Sequence, residues 1–366
     1  MVLHKIHSWY TKFERPIGIV SLVGGFIFNA LTLKRVDLFV ENFWVIAHLL
    51  IVAICIIILN TRKTTSEGSE ANPSPLHFWT TTVLQFFYGG LLSTFIVFYF
   101  RSAVLAVAWP FFAILAVAFI ANEKFKAKYT ALSFQIAYFY LCTYLFFIFF
   151  IPVLVHQTGQ WIFLLSGACT LVVLVLFLWL LRTFAHKHFT ESKKSLLAGI
   201  IGIFCVMNAL YFLDIIPPLP LSLQDAGIFH SISRTNDGNY QIVKETETSW
   251  DTFLSYLNLY PTYHTSVDAP VYAYSAIFSP TAFNTKIIHE WQKYEPASGS
   301  WVTKETIALS VLGGRENGYR TYSLNNGLTE GKWRVNVKTN TGQTIGRMNF
   351  TVSNSAAIVP FVVDTK

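Results

Sequence analysis

The residues best suited to chemistry lie late in the chain. Arg315, Tyr319 and Arg320 fall within "GGRENGYRTYS" (Gly313–Ser323), and "HEW" places His289 and Trp291 some two dozen residues earlier. Guanidinium forks grip carboxylate or phosphate, and Tyr or Trp faces stack on sugars. His289, Trp291, Arg315, Tyr319 and Arg320 are therefore the candidates for a shallow anion or glycan site. The competing reading is structural. Arg315 and Arg320 would pair with Glu316, Glu290 or backbone carbonyls and pin the loop, while Gly313, Gly314 and Gly318 supply backbone freedom. Trp291 and Trp333 also suit the core of a β-sandwich.

Catalytic constellations are missing from the sequence pattern. "HEWQK" lacks the second histidine of a zinc-protease helix and sits in a strand-like segment. There is no G-x-S-x-G elbow and no P-loop, so no catalytic residue and no cofactor is expected. His186 and His188 flank Lys187 without an acid or thiol partner near in sequence, which reads as a solvated basic loop rather than a metal site. The four cysteines, Cys55, Cys142, Cys169 and Cys205, all lie in apolar runs, so they form neither a disulfide framework nor a Cys-based zinc site.

The elements that must carry these residues follow from composition. The 366 residues are 53% hydrophobic and 13% charged, too apolar for a soluble protein. The net charge of +7 is unevenly spread: before Pro217 fifteen Lys/Arg stand against eight Asp/Glu, and after it twelve stand against twelve. The excess thus lies between hydrophobic runs, where retained cytoplasmic charge is expected, and a nucleic-acid partner is not expected.

Seven runs approach the roughly 20 apolar residues that span a bilayer. They fall at about 16–33, 40–60, 79–100, 103–121, 131–155, 160–181 and 196–216. The first follows Lys5, Lys12 and Arg15 but lacks a small-x-small cleavage site, and reads as an uncleaved span. With the N-terminus inside, twelve Lys/Arg fall on the cytoplasmic side and three (Lys34, Arg35, Arg101) on the other. No Asp, Glu, Lys or Arg lies near a span centre, which argues against a coupled transporter. His48 reads as a hydrogen-bonded packing residue, and Gly89, Gly90 and Ser93 as small residues that let helices approach.

"DIIPPLPLSL" (Asp214–Leu223) cannot continue a helix and marks a boundary. The expected organisation is a helical membrane domain over 1–216, a Pro-rich linker over 217–225, a β-domain over 226–356 and a tail over 357–366. Period-two alternation predicts strands at 240–245, 270–278, 285–291, 306–312, 332–339 and 346–352, and a hairpin turn at 339–343. Trp250, Phe253, Leu254 and Leu257 predict a short helix over 248–258. The fold class is an α-helical membrane block of about seven transmembrane helices plus an all-β, immunoglobulin-like sandwich.

"IPPLPLSLQDAGIFH", "HEW", "SVLGGRENGYRTYS" and "GKWRVNVKTNTGQTIGRMNF" resemble the bacterial membrane proteins grouped as domain of unknown function 2914. "FYGGLLSTFIVFYFRSA" followed by "ANEK" resembles their N-terminal part. The resemblance implies a C-terminal β-rich domain attached to a multi-span block, and no activity.

Together these readings describe a multi-pass protein of the bacterial inner membrane, more a binding module than an enzyme. Its extracytoplasmic β-domain would meet an envelope protein or glycan, and its other partner is the lipid bilayer. The alternative is a membrane-embedded enzyme or transporter with the β-domain as accessory. A tightly packed helical block with an exposed aromatic and arginine patch would favour the first reading. A polar cavity between the helices would favour the second. The charge asymmetry generates a topology prediction. A reporter fused after Ser222 should be active only outside the cytoplasm, and one fused within 61–76 only inside. Both fusions reporting the same side would make the span count wrong by one.

Overall fold

The computed structural model describes residues 23–33, 35–63, 75–102, 105–124, 131–184, 186–236, 239–246, 260–265, 269–280, 283, 285–315, 317–353 and 360–366. The helix expected over 248–258 and residues 16–22 of the first expected span lie outside them. The chain divides into a helical unit and a β-rich unit between Leu219 and Pro220.

The described residues of the first unit form seven helices: α1 (Val23–Thr32), α2 (Phe39–Lys63), α3 (Pro75–Arg101), α4 (Leu105–Lys124), α5 (Leu132–Val155), α6 (Gln160–Phe184) and α7 (His186–Phe212). Five of them, α2, α3, α5, α6 and α7, hold apolar stretches long enough to cross a membrane. The apolar stretches of α1 and α4, Val23–Thr32 and Ala108–Asn122, are shorter. The last expected span runs to 216, but α7 stops at Phe212. Asp214 takes a left-handed conformation (φ 56°), and the Asp214 and Ile215 amides donate back to the Tyr211 and Leu210 carbonyls. That is a helix stop of Schellman type, placed just ahead of Pro217 and Pro218.

Asn29, Asn60 and Tyr88 tie neighbouring helices together. Asn29 Nδ2 donates to Ser93 Oγ (3.1 Å) and to Thr94 Oγ1 (3.3 Å). Asn60 Nδ2 donates to Gln135 Oε1 (2.7 Å), and the Tyr88 hydroxyl donates to the Gln135 carbonyl (2.7 Å). His48 bonds the Trp44 carbonyl (2.9 Å) and sits edge-on to the Trp44 and Phe87 rings. A Cβ on Gly90 would lie 3.3 Å from His48 Nε2, and one on Gly89 3.2 Å from Asn122 Nδ2. The two glycines thus admit neighbouring side chains against α3. The four cysteines are free thiols on helices.

The described residues of the β-rich unit form eleven strands: β1 (Ser222–Phe229), β2 (Ser231–Arg234), β3 (Tyr240–Glu245), β4 (Thr262–His264), β5 (Val271–Phe278), β6 (Thr285–Glu295), β7 (Ser300–Val311), β8 (Tyr319–Asn325), β9 (Gly331–Thr339), β10 (Thr344–Ser353) and β11 (Phe361–Thr365). They form a three-stranded sheet β1-β5-β8, a five-stranded sheet β4-β10-β9-β6-β7 and a third sheet β11-β3-β2. Alternation explains the packing. Val271, Ala273 and Ile277 of β5 join Ile287, Trp291, Trp333, Val335, Val337 and Phe350 of the five-stranded sheet in one core. Tyr274 and Ala276, on the other face of β5, join Phe229, Ile232 and Ile242 in a second core. Since β5 is covered on both faces, it reads as a nearly unbroken apolar run. Trp333 is buried and donates its Nε1–H to the Thr329 carbonyl (2.7 Å). The β9–β10 turn has Gly342 at φ +96°, a conformation open to glycine.

Two differences from the sequence reading concern the ends of this unit. Ser222–Asp225, expected as linker, belong to β1 and pair with Phe278–Ala276 of β5. Residues 357–366, expected as a tail, contain β11, which pairs antiparallel with β3 through Phe361↔Glu245 to Thr365↔Gln241. A five-residue strand ending the chain offers too few alternating positions to announce itself. Deleting residues 360–366 should therefore cost the β-rich unit about 2 kcal/mol or more, from the lost ladder bonds. The check is limited proteolysis of the solubilised full chain, in which cleavage within β3 should accelerate; unchanged cleavage would make β11 dispensable.

Candidate functional site

The five residues singled out from sequence do not form one surface. His289 and Trp291 point inward from β6, both with 0% exposure. His289 Nε2 bonds Ser275 Oγ (2.9 Å), His289 Nδ1 bonds Ser323 Oγ (2.8 Å), and Trp291 Nε1–H donates to Ser323 Oγ (3.1 Å). Ser275 lies on β5 and Ser323 on β8, so the network ties the three-stranded sheet to the five-stranded one. A serine–histidine pair at this distance matches nucleophile–base spacing. All four side chains are buried, however. The role the geometry supports is a satisfied polar tie in an apolar core.

Arg315, Tyr319 and Arg320 stay near the surface. Arg315 is exposed and stacks its guanidinium over Tyr319 at 5.0 Å. Arg320 Nη1 donates to Asn239 Oδ1 (3.1 Å), and Tyr322, two residues on, meets Tyr240 and Tyr272. Glu290, one expected partner of these arginines, instead holds Lys338 (2.7 Å); Glu316 lies outside the described residues. The glycines of this loop answer to close approach. A Cβ on Gly313 would fall 1.9 Å from the Pro280 carbonyl oxygen, and Gly318, at φ +80°, would meet the β5 backbone at 2.9 Å. The stretch is thus a tight seam against β5 and the segment after it, with Arg315 alone of its arginines facing solvent.

The site that sequence reasoning missed is the outer face of the five-stranded sheet. Two adjacent cross-strand rows compose it. One runs Asn349, Arg334, Gln292, Thr303, and the next Arg347, Asn336, Glu290, Thr306. Arg334 Nε donates to Gln292 Oε1 (2.7 Å) and Arg347 Nε to Asn336 Oδ1 (2.7 Å). Asn336 Nδ2 donates to Gln292 Oε1 (3.0 Å) and Glu290 Oε2 (2.9 Å), and Gln292 Nε2 to Thr303 Oγ1 (2.9 Å). The Arg334 guanidinium lies over the Trp301 ring at 4.2 Å, and the Tyr260 ring runs parallel to that of Trp301, centroids 6.3 Å apart. Partial burial pulls both arginines below their usual range, and for Arg334 the neighbouring Arg347 charge adds to this. Burial opposes ionisation of Glu290, but the bonds from Lys338 and Asn336 outweigh it and hold its carboxyl below the usual range.

A bulge creates this face. β9 and β10 pair as Thr344↔Lys338 and then Gly346↔Val337, so one extra residue enters β10. Beyond it every side chain of β10 changes sides relative to an unbroken hairpin. Met348 and Phe350 turn to the core, while Arg347 and Asn349 stand opposite Asn336 and Arg334. Sequence alternation alone, read without the bulge, hides the pairing.

Among the described residues no group of three His, Cys, Asp or Glu side chains is arranged to hold a metal. Glu245 does bring two histidines together. Its Oε1 bonds His230 Nε2 (3.1 Å) and its Oε2 bonds His264 Nδ1 (2.9 Å). Burial works against its charge, yet these bonds hold its carboxyl below the usual range. The cluster clasps β3 to β4 and to the β1–β2 junction.

Residues 284–352 match the family model described as "Protein of unknown function (DUF2914)". This stretch holds all five residues singled out from sequence and both rows of the outer face. Among curated proteins none matches the chain. Among solved structures the chain is similar to the Pseudomonas fluorescens alkylpurine DNA glycosylase AlkC bound to DNA containing an abasic site analogue, at 9% identity and a TM-score of 0.22. That alignment covers 86% of this chain and 99% of the other. A TM-score so low carries no argument about fold or function.

The buried histidine generates a pH prediction. Burial pushes the His289 pKa down from 6.5 to about 4. Between those values the unfolded chain takes up a proton that the folded chain refuses. Stability from this residue is therefore whole above pH 6.5 and is lost as pH falls toward 4, on the order of 3 kcal/mol in total. His289→Gln should flatten the stability profile between pH 6.5 and 4 and leave the steeper loss below pH 4.5, where Glu245 and Glu290 protonate. Thermal melts of the two chains across this range provide the check; parallel profiles would show that His289 is already protonated in the fold.

Proposed function

We propose that this DUF2914 chain is a multi-pass membrane protein that presents its β-rich unit on the extracytoplasmic side and binds a cell-envelope glycan through the outer face of the five-stranded sheet. The observation that carries the reading is the Arg334 guanidinium stacked on the part-exposed Trp301, with Arg334 and Arg347 held by the buried amides of Gln292 and Asn336. Aromatic faces and guanidinium forks side by side are groups that meet sugar rings and their polar substituents. Five long apolar helices and the Lys/Arg split between flanking segments support the membrane placement. The three-stranded sheet sharing a core with the five-stranded sheet supports an immunoglobulin-like sandwich, extended here by the sheet β11-β3-β2. The alternative, in which the helical unit transports or catalyses, finds less support, since Asn29, Asn60 and Tyr88 are engaged between helices.

The test is capture of envelope polysaccharides and envelope proteins by the detergent-solubilised full chain. Trp301→Ala should weaken polysaccharide capture about tenfold, the scale of one lost stacking contact with its ordering effect, while the thermal midpoint stays unchanged because Trp301 is part-exposed. No polysaccharide capture, or capture indifferent to Trp301, overturns the reading. Capture of a protein through this face would put a protein ligand in its place.

A further inference from the structure

We infer that Arg334 and Arg347 form an anion site and that the glycan taken by this face bears a carboxylate or phosphate next to a free hydroxyl. The inference rests on the binding reading above and names its ligand chemistry. The two arginines occupy diagonal positions on adjacent strands, Arg334 opposite Asn349 and Arg347 opposite Asn336. Diagonal neighbours on one face of a sheet have Cα atoms about 7–8 Å apart, within the span of two guanidinium groups gripping one anion.

Their anchoring is unusual for structural arginines. Among the described residues each guanidinium is hydrogen-bonded through Nε alone, and each bond goes to a neutral amide oxygen, of Gln292 and of Asn336. The Nη edges, which form the fork that meets an oxyanion, carry no hydrogen bond among the described residues, and the Nε bonds fix the guanidinium planes. Glu290 is the carboxylate whose charge reaches both arginines, but its oxygens serve Lys338 and Asn336. The other cation toward this end of the face, Lys332, lies over Tyr260 at 5.3 Å. Among the described residues two like charges are thus held together, partly desolvated, with neutral anchors and no carboxylate bonded to either. An arrangement of that kind costs free energy in the empty protein and recovers it when an anion enters.

A second, independent feature points to the hydroxyl. Asn349 Oδ1 is buried and has no hydrogen-bond partner among the described residues. A buried acceptor without a donor is destabilising until a donor arrives. Asn349 faces Arg334 across the ladder, so a ligand gripped by the fork can place a hydroxyl against Oδ1. An acidic sugar, whether a uronate or a sugar phosphate, supplies both groups in one molecule.

The experiment is calorimetric titration of the detergent-solubilised full chain with four probes: an oligouronide, a neutral oligoglucoside of the same length, glucose 6-phosphate and inorganic phosphate. The oligouronide, glucose 6-phosphate or both should bind at least tenfold tighter than the neutral oligosaccharide, with affinity falling as salt rises. Which of the two binds tighter separates a carboxylate source from a phosphate source. Arg347→Gln should lose tenfold or more, and Arg315→Gln should bind as the unmodified chain does. Asn349→Asp guards against a merely misfolded variant: it gives Arg334 an internal counter-ion, so anion binding should vanish while the thermal midpoint holds or rises. Equal affinity for the acidic and neutral oligosaccharides, or full binding by folded Arg347→Gln, overturns the anion site. If that equal binding still needs Trp301, the glycan reading survives and the anion inference alone fails. Inorganic phosphate binding as tightly as glucose 6-phosphate overturns the hydroxyl requirement.

Discussion

The outer face of the five-stranded sheet depends on one extra residue. In an unbroken β9–β10 hairpin, Arg334 would stand opposite Met348, and Arg347 would point into the core. The bulge between Thr344 and Gly346 moves the partner of Arg334 to Asn349 and that of Asn336 to Arg347. Because side chains alternate with period two, this single step exchanges the whole face. Gly346 makes the step possible: a Cβ there would lie 2.1 Å from Leu223 Cδ2, so no larger residue fits without displacing Leu223. The same step sends Met348, Phe350 and Val352 into the core beside Trp291 and Trp333. Core and surface are therefore set by one local irregularity, and neither is adjustable without the other.

β6 shows the same division, with the register shift at Trp291 and Gln292 taken up by an extra residue in β7. His289 and Trp291 go inward to Ser275 and Ser323, while Glu290 and Gln292 go outward to Asn336, Lys338 and Arg334. The inner set is neutral, closed and fully bonded, as a core requires. The outer set contains charges and leaves donors at its margin. Four consecutive residues thus supply both the tie between two sheets and the floor of the candidate site. The chemical types look interchangeable in the sequence; only the pleat distinguishes them.

Much of the architecture was legible because its signals are long. Spans of 20 or more apolar residues announce helices, and "KWRVNVKT" announces a half-buried strand with its Trp333 face inward. The turn at Gly342 follows from a residue that tolerates positive φ. What stayed hidden depends on short or non-local relations. β11 is five residues long and finds its partner more than a hundred residues back in β3. The Ser275–His289–Ser323 tie joins three strands whose pairing no motif encodes. Singling out His289 and Trp291 for a surface site rested on residue type, and residue type does not report the face. Conversely Arg334 lies in the strand predicted over 332–339 with nothing local to mark it for a site, because its partners Gln292 and Trp301 come from other strands.

The choice of anchors on the outer face has a consequence for how the domain balances its charges. A cation held for stability alone is commonly met by a carboxylate, and lysines of this unit are, as in Lys338 with Glu290 and Lys304 with Glu295. Arg334 and Arg347 are held by amides instead. Amides fix the guanidinium planes without neutralising them, so orientation is secured while the field stays positive. Replacing Gln292 by an acid of the same size would keep the bond from Arg334 and remove the field, while giving up the amide's own bond to Thr303 Oγ1. The face therefore separates two properties that a salt bridge would join, geometric order and charge compensation, and leaves the second to whatever binds.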